Sequence, residues 1–138
     1  MKAITVRDHM QKRMPLIRCG MHIADVVDTL LEHRLTGAPV VNNNNEVIGF
    51  ISEHDCLKQL LVTSYHSEGM PRVDELMHDK PLTVSPETSL VDLARCMETN
   101  KPKVYPVVEH GKLIGVISRS DVLRALTKEQ RVRRKGVA

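Results

Sequence analysis

The sequence predicts an α/β protein made of two tandem β-α-β-β-α repeats. When the chain is compared with itself at a shift of 67 residues, Val6 coincides with Val73. After a one-residue deletion in a turn the shift becomes 66, and the segment GFISEHD at 49–55 coincides with GVISRSD at 115–121. Each copy carries short apolar stretches typical of strands and longer stretches with helical periodicity. A repeat of about sixty residues is too small for a secure core, so the two repeats should pack as one globule.

The composition is that of an ordinary soluble domain. Hydrophobic residues make up 41% of the 138 residues and charged residues 27%, and aromatic residues are scarce at 2%. No apolar run approaches the ~20 residues of a membrane helix, and the first residues lack the apolar region of a signal peptide. We therefore expect a cytoplasmic protein with no membrane contact. The three cysteines are widely spaced and no two histidines lie four apart, so neither disulfides nor a metal site is predicted.

The first repeat is predicted at residues 5–64. A short helix at 5–10 precedes a brief strand at Leu16 and Ile17, and apolar residues then recur at helical spacing from about His22 to His33. A strand at 37–41, an asparagine-rich turn at 42–45 and a strand at 47–52 are predicted to form a hairpin. A second helix is predicted from Asp55 to Thr63.

A linker is predicted at residues 65–72, followed by the second repeat at 73–127. The repeat has a short element at 73–77, a strand at 82–84, a helix at 90–98, strands at 104–108 and 113–118, and a helix at 121–126. Ser89 and Asp92 fit a capping box at the start of its first long helix. Residues 128–138 form a basic tail with five cations and one acid, which gives the tail a net charge of +4. Because the whole chain carries +3, the remainder carries −1. We predict a solvated, frayed tail.

Each copy of the repeated segment ends with Ser-x-x-Asp, at Ser52 to Asp55 and at Ser118 to Asp121. A serine at a helix N-cap lies beside free backbone N–H groups, which together can hold a phosphate. An aspartate in the first helical turn stays ionised, and its two oxygens suit the paired hydroxyls of a ribose. The same pattern is also a capping box that needs no ligand. Both interpretations stay open from the residues alone.

The chain resembles the cystathionine-β-synthase (CBS) domain, twice in tandem. The resemblance rests on the stretches from Ala38-Pro39-Val40-Val41 to Asp55 and from Tyr105-Pro106-Val107-Val108 to Asp121, and on Pro-Leu-Thr-Val-Ser-Pro at 81–86. It covers about residues 6 to 127. It implies a CBS-domain pair, or Bateman module, whose two repeats pack through their sheets with pseudo-twofold symmetry and leave two clefts for adenosine-containing ligands.

The resemblance also implies which residues bind the ligand. The site of the second repeat comprises Asp121, Ser118, Arg119, Thr83, Lys103, Val104 and Tyr105. The site of the first repeat comprises Asp55, Ser52, His54, Leu16, Thr36, Gly37 and Ala38. In both, the aspartate is expected to hold the ribose and the serine the phosphate. The first site lacks a polar residue, because Leu16 stands where the second repeat has Thr83, so we rank Asp121 above Asp55.

The predicted function is that of a non-catalytic regulatory module. It would bind AMP, ADP, ATP, NAD or S-adenosylmethionine, with Mg²⁺ accompanying a triphosphate, and would signal to a partner protein through a conformational shift. No catalytic residue and no required cofactor is predicted, and a homodimer is implied by the resemblance. Two alternatives remain: a ligand-free dimerisation or interaction module, and a nucleic-acid-associated protein that acts through its basic tail.

Overall fold

A computed structural model describes residues 4–66, 69–99 and 102–136. The chain divides into two compact units. The first unit contains Met14–Leu82 together with His110–Leu113, and the second contains the residues before Met14 together with Thr83–Glu109 and the residues from Ile114 onward. Within the described ranges, no helix is long and apolar enough to cross a membrane.

The first unit is built on a four-stranded sheet. Its strands are β1 (Ile17–Arg18), β2 (Gly37–Val41), β3 (Val47–Ser52) and β4 (His78–Asp79), in the order β1-β2-β3-β4. β1 and β2 are parallel, and the other neighbours are antiparallel. The short helix α1 (Val6–His9) precedes this unit in the chain, while α2 (Ile23–Glu32) and α3 (Glu53–His66) belong to it.

The core of the first unit is largely aliphatic, in keeping with the scarcity of aromatic residues in the sequence. Helix α2 contributes its apolar stripe to this core, and β2 contributes a strand that is buried along its whole length. The buried residues are Ile17, Ile23, Val26, Leu30, Ala38, Val40, Ile51, Cys56 and Val73.

The second unit contains α1, α4 (Leu90–Glu98), β5 (Val104–Glu109), most of β6 (Lys112–Ser118) and α5 (Arg119–Gly136). β5 and β6 pair with each other. Val84 bridges Val107 in parallel, and Gln11 bridges Val116 in antiparallel fashion. Since Val84 and Gln11 stand 67 residues from Ile17 and His78, this arrangement repeats the order of the first sheet. The buried core residues are Val6, Leu90, Leu93, Met97, Tyr105, Val107, Ile117, Val122 and Ala125.

The segment that opens each repeat is packed in the unit of the other repeat. Val6 is fully buried in the core of the second unit, and its counterpart Val73, in a short 3₁₀ helix at Val73–Glu75, is fully buried in the core of the first. We call residues 5–11 and 73–78 the opening segments. The last residue of each pairs with the middle of a strand: Gln11 pairs with Val116 in β6, and His78 pairs with Phe50 in β3. Each unit therefore contains parts of both repeats.

The α/β fold class and the two repeats are confirmed, and most predicted elements lie where the periodicity placed them. Helix α4 has the predicted bounds, and α2 lacks only His22 and His33 from its predicted ends. The turn at 42–45 is also present, with Asn45 in the left-handed region at φ 61°. Apolar periodicity and turn chemistry were sufficient signals for these elements.

Other elements differ from the prediction. Helix α3 continues to His66, into the predicted linker, of which Ser67 and Glu68 lie outside the described residues. Helix α5 continues to Gly136, so the tail is helical up to that residue, whereas a frayed tail was predicted. The tail consists mainly of good helix formers such as Lys, Arg, Glu and Gln, and no glycine or proline interrupts it before Gly136.

Two further expectations on local structure were wrong. Ser89 lies at the N-cap of α4 but makes no side-chain capping bond, and the N–H of Leu90 donates instead to the carbonyl of Ile4 at 3.0 Å. The stretch 82–84 forms only the bridge at Val84, and the strand β4 was not predicted.

Candidate functional site

The serine and aspartate of the second repeat form a capping box at the start of α5. The N–H of Asp121 donates to Ser118 Oγ at 3.2 Å. In return, the N–H and the hydroxyl of Ser118 both donate to Asp121 Oδ2 at 2.9 Å. The first free N–H groups of the helix are thus partly satisfied by the side chains of the motif itself.

The first repeat makes the same capping box at the start of α3. The N–H of Asp55 donates to Ser52 Oγ at 3.1 Å, and Ser52 donates to Asp55 Oδ2 from its N–H at 3.1 Å and from its hydroxyl at 2.7 Å. The capping interpretation of Ser-x-x-Asp therefore applies to both copies. In both boxes the serine contacts Oδ2 of the aspartate, so Oδ1 is available to other hydrogen-bond donors.

The remaining oxygen of each aspartate is contacted by a residue from the opening segment of the other repeat, and that of Asp121 also by Arg124 in α5. Gln11 Nε2 donates to Asp121 Oδ1 at 2.9 Å, and Arg124 donates to the same oxygen at 3.2 Å. In the first repeat, His78 Nε2 lies 3.1 Å from Asp55 Oδ1. Gln11 and His78 are 67 residues apart and occupy equivalent positions, directly after the aligned pair Met10 and Met77. The alignment of the methionines was the signal that could have identified Gln11 and His78.

Both carboxyl groups are held in their ionised form. Burial raises the pKa of Asp121, but hydrogen bonds from Ser118, Gln11 and Arg124 outweigh it, and the pKa lies below its usual range. Burial likewise raises the pKa of Asp55, but the hydrogen bonds from Ser52 and the contact with His78 outweigh it, and this pKa also lies below its usual range. The side chain of Asp121 is only 3% exposed, whereas that of Asp55 is 15% exposed. Of the two aspartates, Asp55 is the more accessible.

The glycine at the start of each repeated segment permits the close approach of the opening segment. A Cβ on Gly115 would lie 2.8 Å from the backbone oxygen of Gln11, and one on Gly49 would lie 2.5 Å from Met77 Sδ. The side chains of Met10 and Met77 cover the two glycines in the same way. These glycines thus allow Gln11 and His78 to lie close to the aspartates.

Several of the predicted ligand residues are brought next to the helix starts. The N–H of Arg119 donates to the carbonyl of Lys103 at 2.8 Å, and in the first repeat the N–H of Glu53 donates to the carbonyl of Thr36 at 2.8 Å. Gly37 pairs directly with Ser52 across β2 and β3. Lys103 and Thr36 are exposed, so each can present a polar side chain beside its helix start.

Other predicted residues lie at strand positions near these helix starts. Leu16 and Thr83 are both exposed and immediately precede Ile17 and Val84, which pair with the central strands β2 and β5. Val104 is half-buried at the first position of β5, and Ala38 is buried in β2. None of these four side chains has a described hydrogen bond to either aspartate.

Tyr105 and His54 lie in surroundings that differ from the expectation. Tyr105, which the resemblance implies as a ligand residue, is 3% exposed and packs in the core of the second unit, so its ring does not offer an open stacking face. Its hydroxyl is buried and, among the described residues, has no hydrogen-bond partner. Burial raises the pKa of this hydroxyl, against the opposing charge of Arg119. His54 is exposed and lines an apolar cavity of about 340 Å³ between α2 and α3, together with Leu31 and Leu57.

In the part of the chain that the structure describes, no three or more His, Cys, Asp or Glu side chains are grouped so that they could hold a metal ion. The chemistry available at the two helix starts is therefore that of ionised carboxylates, hydroxyls and backbone N–H groups.

Comparisons with known proteins give consistent results. Residues 6–62 and 73–128 each match the model of the CBS domain. The crystal structure of CBSX2, a protein of Arabidopsis thaliana, in complex with AMP is 32% identical, with a TM-score of 0.78 over 91% of this chain and 98% of that chain. The CBS domain pair of protein MJ0100 in complex with 5′-methylthioadenosine and S-adenosyl-L-methionine shares the fold at 19% identity, with a TM-score of 0.78 over 93% of this chain and 99% of that chain.

The sequence relatives are longer proteins. The protein MJ1225 of Methanocaldococcus jannaschii is 30% identical over 121 residues, which are 88% of this chain and 42% of that protein. The chloroplast protein CBSX2 of Arabidopsis thaliana is 29% identical, over 92% of this chain and 65% of its own length. The chain thus spans less than two thirds of the length of these two relatives.

Proposed function

Because the chain belongs to the CBS domain family, we propose that it is a non-catalytic regulatory module that binds an adenosine-containing ligand. The observation that carries this proposal is the similarity to CBSX2, whose structure was determined in complex with AMP. The two capping boxes support it, because both place an ionised carboxylate and a serine at a helix N-terminus. The finer assignment of ligand and residues is part of the proposal.

In the proposed complex, the aspartates receive the ribose hydroxyls. Asp121 Oδ1 accepts from Gln11 and Arg124, and Asp55 Oδ1 is contacted by His78, so a ribose hydroxyl that donates to Oδ1 would share the oxygen with these groups or replace one of them. Ser118 and Ser52 lie at the helix N-termini, where a phosphate is favoured by the N–H groups and the helix dipole. Lys103 and Arg119 supply positive charge at the second-repeat site. Their absence from the first-repeat site would weaken phosphate binding there.

The ligand would regulate a partner protein by differential binding. A ligand that fits one arrangement of the protein better than another shifts the population toward it, by no more than the difference in its two affinities. The regulated protein would recognise that arrangement. We further propose a homodimer, because the exposed leucines Leu31, Leu57 and Leu61 leave an apolar surface on α2 and α3.

Calorimetric titration would test the proposed ligand class. AMP, ADP, ATP with and without Mg²⁺, NAD and S-adenosylmethionine would be titrated into the wild-type protein and into Asp121→Asn and Asp55→Asn. Asp92→Asn is the matched control, because Asp92 is an exposed aspartate in the first turn of α4. We expect saturable binding that weakens at least tenfold in the two site variants and is unchanged in the control. Binding of none of these ligands would contradict the proposed function, and binding insensitive to both site variants would contradict the residue assignment.

One observation favours a second candidate function, which is binding to a nucleic acid. Helix α5 continues past Thr127, and the cations Arg124, Lys128, Arg131 and Lys135 follow one another at spacings of four, three and four residues on one exposed side. Such a stripe suits a phosphate backbone, with affinity that falls as the salt concentration rises. Truncation after Thr127 should abolish salt-sensitive binding to RNA or DNA if this candidate is correct, and unchanged binding would refute it.

A further inference from the structure

The two aspartates differ in the side chain that contacts Oδ1. In the second repeat Oδ1 accepts from the amide of Gln11, at 2.9 Å, and from the guanidinium of Arg124, at 3.2 Å. In the first repeat it is contacted by the imidazole of His78, at 3.1 Å. Gln11 and His78 occupy equivalent positions in the two repeats. Both residues are exposed and follow an aligned methionine. The two repeats therefore hold the same carboxylate oxygen with groups of different acid–base chemistry.

Oδ1 is the aspartate oxygen at which a ribose hydroxyl would compete. Oδ2 of each aspartate already accepts two hydrogen bonds from its serine, which occupy both of its lone pairs. A ribose hydroxyl that donates to Oδ1 therefore meets Gln11 and Arg124 at that oxygen in the second repeat and His78 in the first, and it shares the oxygen with these donors or replaces one of them. A glutamine amide does not titrate, whereas histidine ordinarily changes its charge between pH 5 and 8.

Resting on the proposed function, we propose that His78 makes ribose binding at Asp55 dependent on pH, while Gln11 keeps ribose binding at Asp121 independent of pH. Protonated His78 donates a charge-assisted hydrogen bond to the ionised Asp55, which is about twice as strong as a neutral one. A ribose hydroxyl that approaches Asp55 Oδ1 therefore meets a stronger competing donor when His78 is protonated than when it is neutral. The protein would then sense the ligand and the pH together in its first repeat.

The surroundings of His78 are consistent with this role. Its side chain is 71% exposed, so protons and ligand reach it freely. Asp55 is the acid that contacts it from α3, and Asp79 and Lys80 follow it on its own segment. From β3, the neighbouring residues Gly49 and Phe50 carry no charge. Asp55 stays ionised over the whole range in which histidine titrates, because its pKa lies below the usual range.

Adenosine is the probe for the test, because it has the ribose but no phosphate that titrates near pH 6. The full chain, labelled with ¹⁵N, would be titrated with adenosine at pH 5.5 and pH 8.0, and the amide signals of Ser52 and Ser118 would report the two repeats separately. We expect the dissociation constant reported by Ser52 to be about fivefold higher at pH 5.5 than at pH 8.0, and that reported by Ser118 to change less than twofold.

Two exchange variants form the matched controls. His78→Gln should remove the pH dependence at Ser52, and Gln11→His should introduce it at Ser118. The amide spectrum of each variant verifies its fold, and both positions are exposed. Equal affinities at the two pH values, tighter binding at pH 5.5, or a pH dependence that survives in His78→Gln would overturn the inference alone. If neither adenosine nor any of the ligands of the calorimetric titration shifts either signal at either pH, the proposed function is overturned, and this inference with it.

Discussion

Removal of the Ser118 hydroxyl should destabilise the protein considerably more than removal of the Ser52 hydroxyl. Ser118→Ala loses a helix cap, which contributes about 1 kcal/mol. It also loses the 2.9 Å hydrogen bond from the hydroxyl to the ionised Asp121, and hydrogen bonds to charged groups contribute about 1.5–3 kcal/mol. Because Asp121 is 3% exposed, water cannot easily replace the lost donor. We therefore expect Ser118→Ala to lower the free energy of unfolding by about 3 kcal/mol in total.

The equivalent substitution in the first repeat, Ser52→Ala, should lower the free energy of unfolding by about half as much. Ser52→Ala removes the same two hydrogen bonds, but the Asp55 side chain is 15% exposed, so water can donate to the freed oxygen. The control is Ser120→Ala, since Ser120 is exposed in the first turn of α5 and exposed substitutions usually change stability by less than about 0.5 kcal/mol.

Urea denaturation followed by circular dichroism would measure the three free energies of unfolding. Each variant is compared with the wild type at pH 7, and the slope of the free energy against urea must stay constant for the comparison to hold. If Ser118→Ala costs no more than Ser120→Ala, the hydrogen bonds of the capping box do not stabilise the fold. If Ser52→Ala costs as much as Ser118→Ala, the argument from burial is wrong.

Three further predictions concern single residues. The pKa of Asp121 is lowered in the folded protein, so the contacts of its ionised carboxylate stabilise the protein above about pH 4. This stabilisation is lost as the pH falls through the folded-state pKa. Asp121→Asn should therefore lower Tm at pH 7 and make the fall of Tm between pH 5 and pH 3 less steep. Gly115→Ala should lower the free energy of unfolding, measured by urea denaturation, by about 2 kcal/mol, because the added Cβ would lie 2.8 Å from the backbone oxygen of Gln11. Gly69→Ala is the control and should leave it nearly unchanged, because no atom lies within 4 Å of its added Cβ. Tyr105→Phe should leave Tm unchanged or raise it, because the lost hydroxyl is buried without a described partner, and a fall of several degrees would show that the hydroxyl is bonded.

The sequence was sufficient for the elements whose signal is local. The apolar stripe of α2 and the turn at Asn42–Asn45 could be read from spacing and residue type. The strand β4 could not, because His78 and Asp79 are both exposed and polar, and only the pairing with Gly49 and Phe50 makes them a strand. Tertiary pairing of this kind has no periodicity to detect.

The candidate site was predictable in part for the same reason. Ser-x-x-Asp contains both partners of the capping box within four residues, so the bonds between Ser118 and Asp121 could be expected from the motif. The contact between Gln11 and Asp121 joins residues 110 positions apart, and no local pattern indicates it. The buried position of Tyr105 also depends on the assembled core, so its aromatic ring was a poor guide to its role.

The exchange of the opening segments determines the order in which the chain can fold during synthesis. Nearly all of the first unit, including the 3₁₀ helix at Val73–Glu75 and β4, has been made once residue 82 has been added. Helix α1 and Gln11 are made first, yet their partners in β6 and α5 are made more than a hundred residues later. Val6 must therefore wait, exposed, until the C-terminal half of the chain has been synthesised, and such distant contacts form slowly. A released chain that ends at residue 82 should therefore contain a largely folded first unit and a protease-sensitive N-terminus.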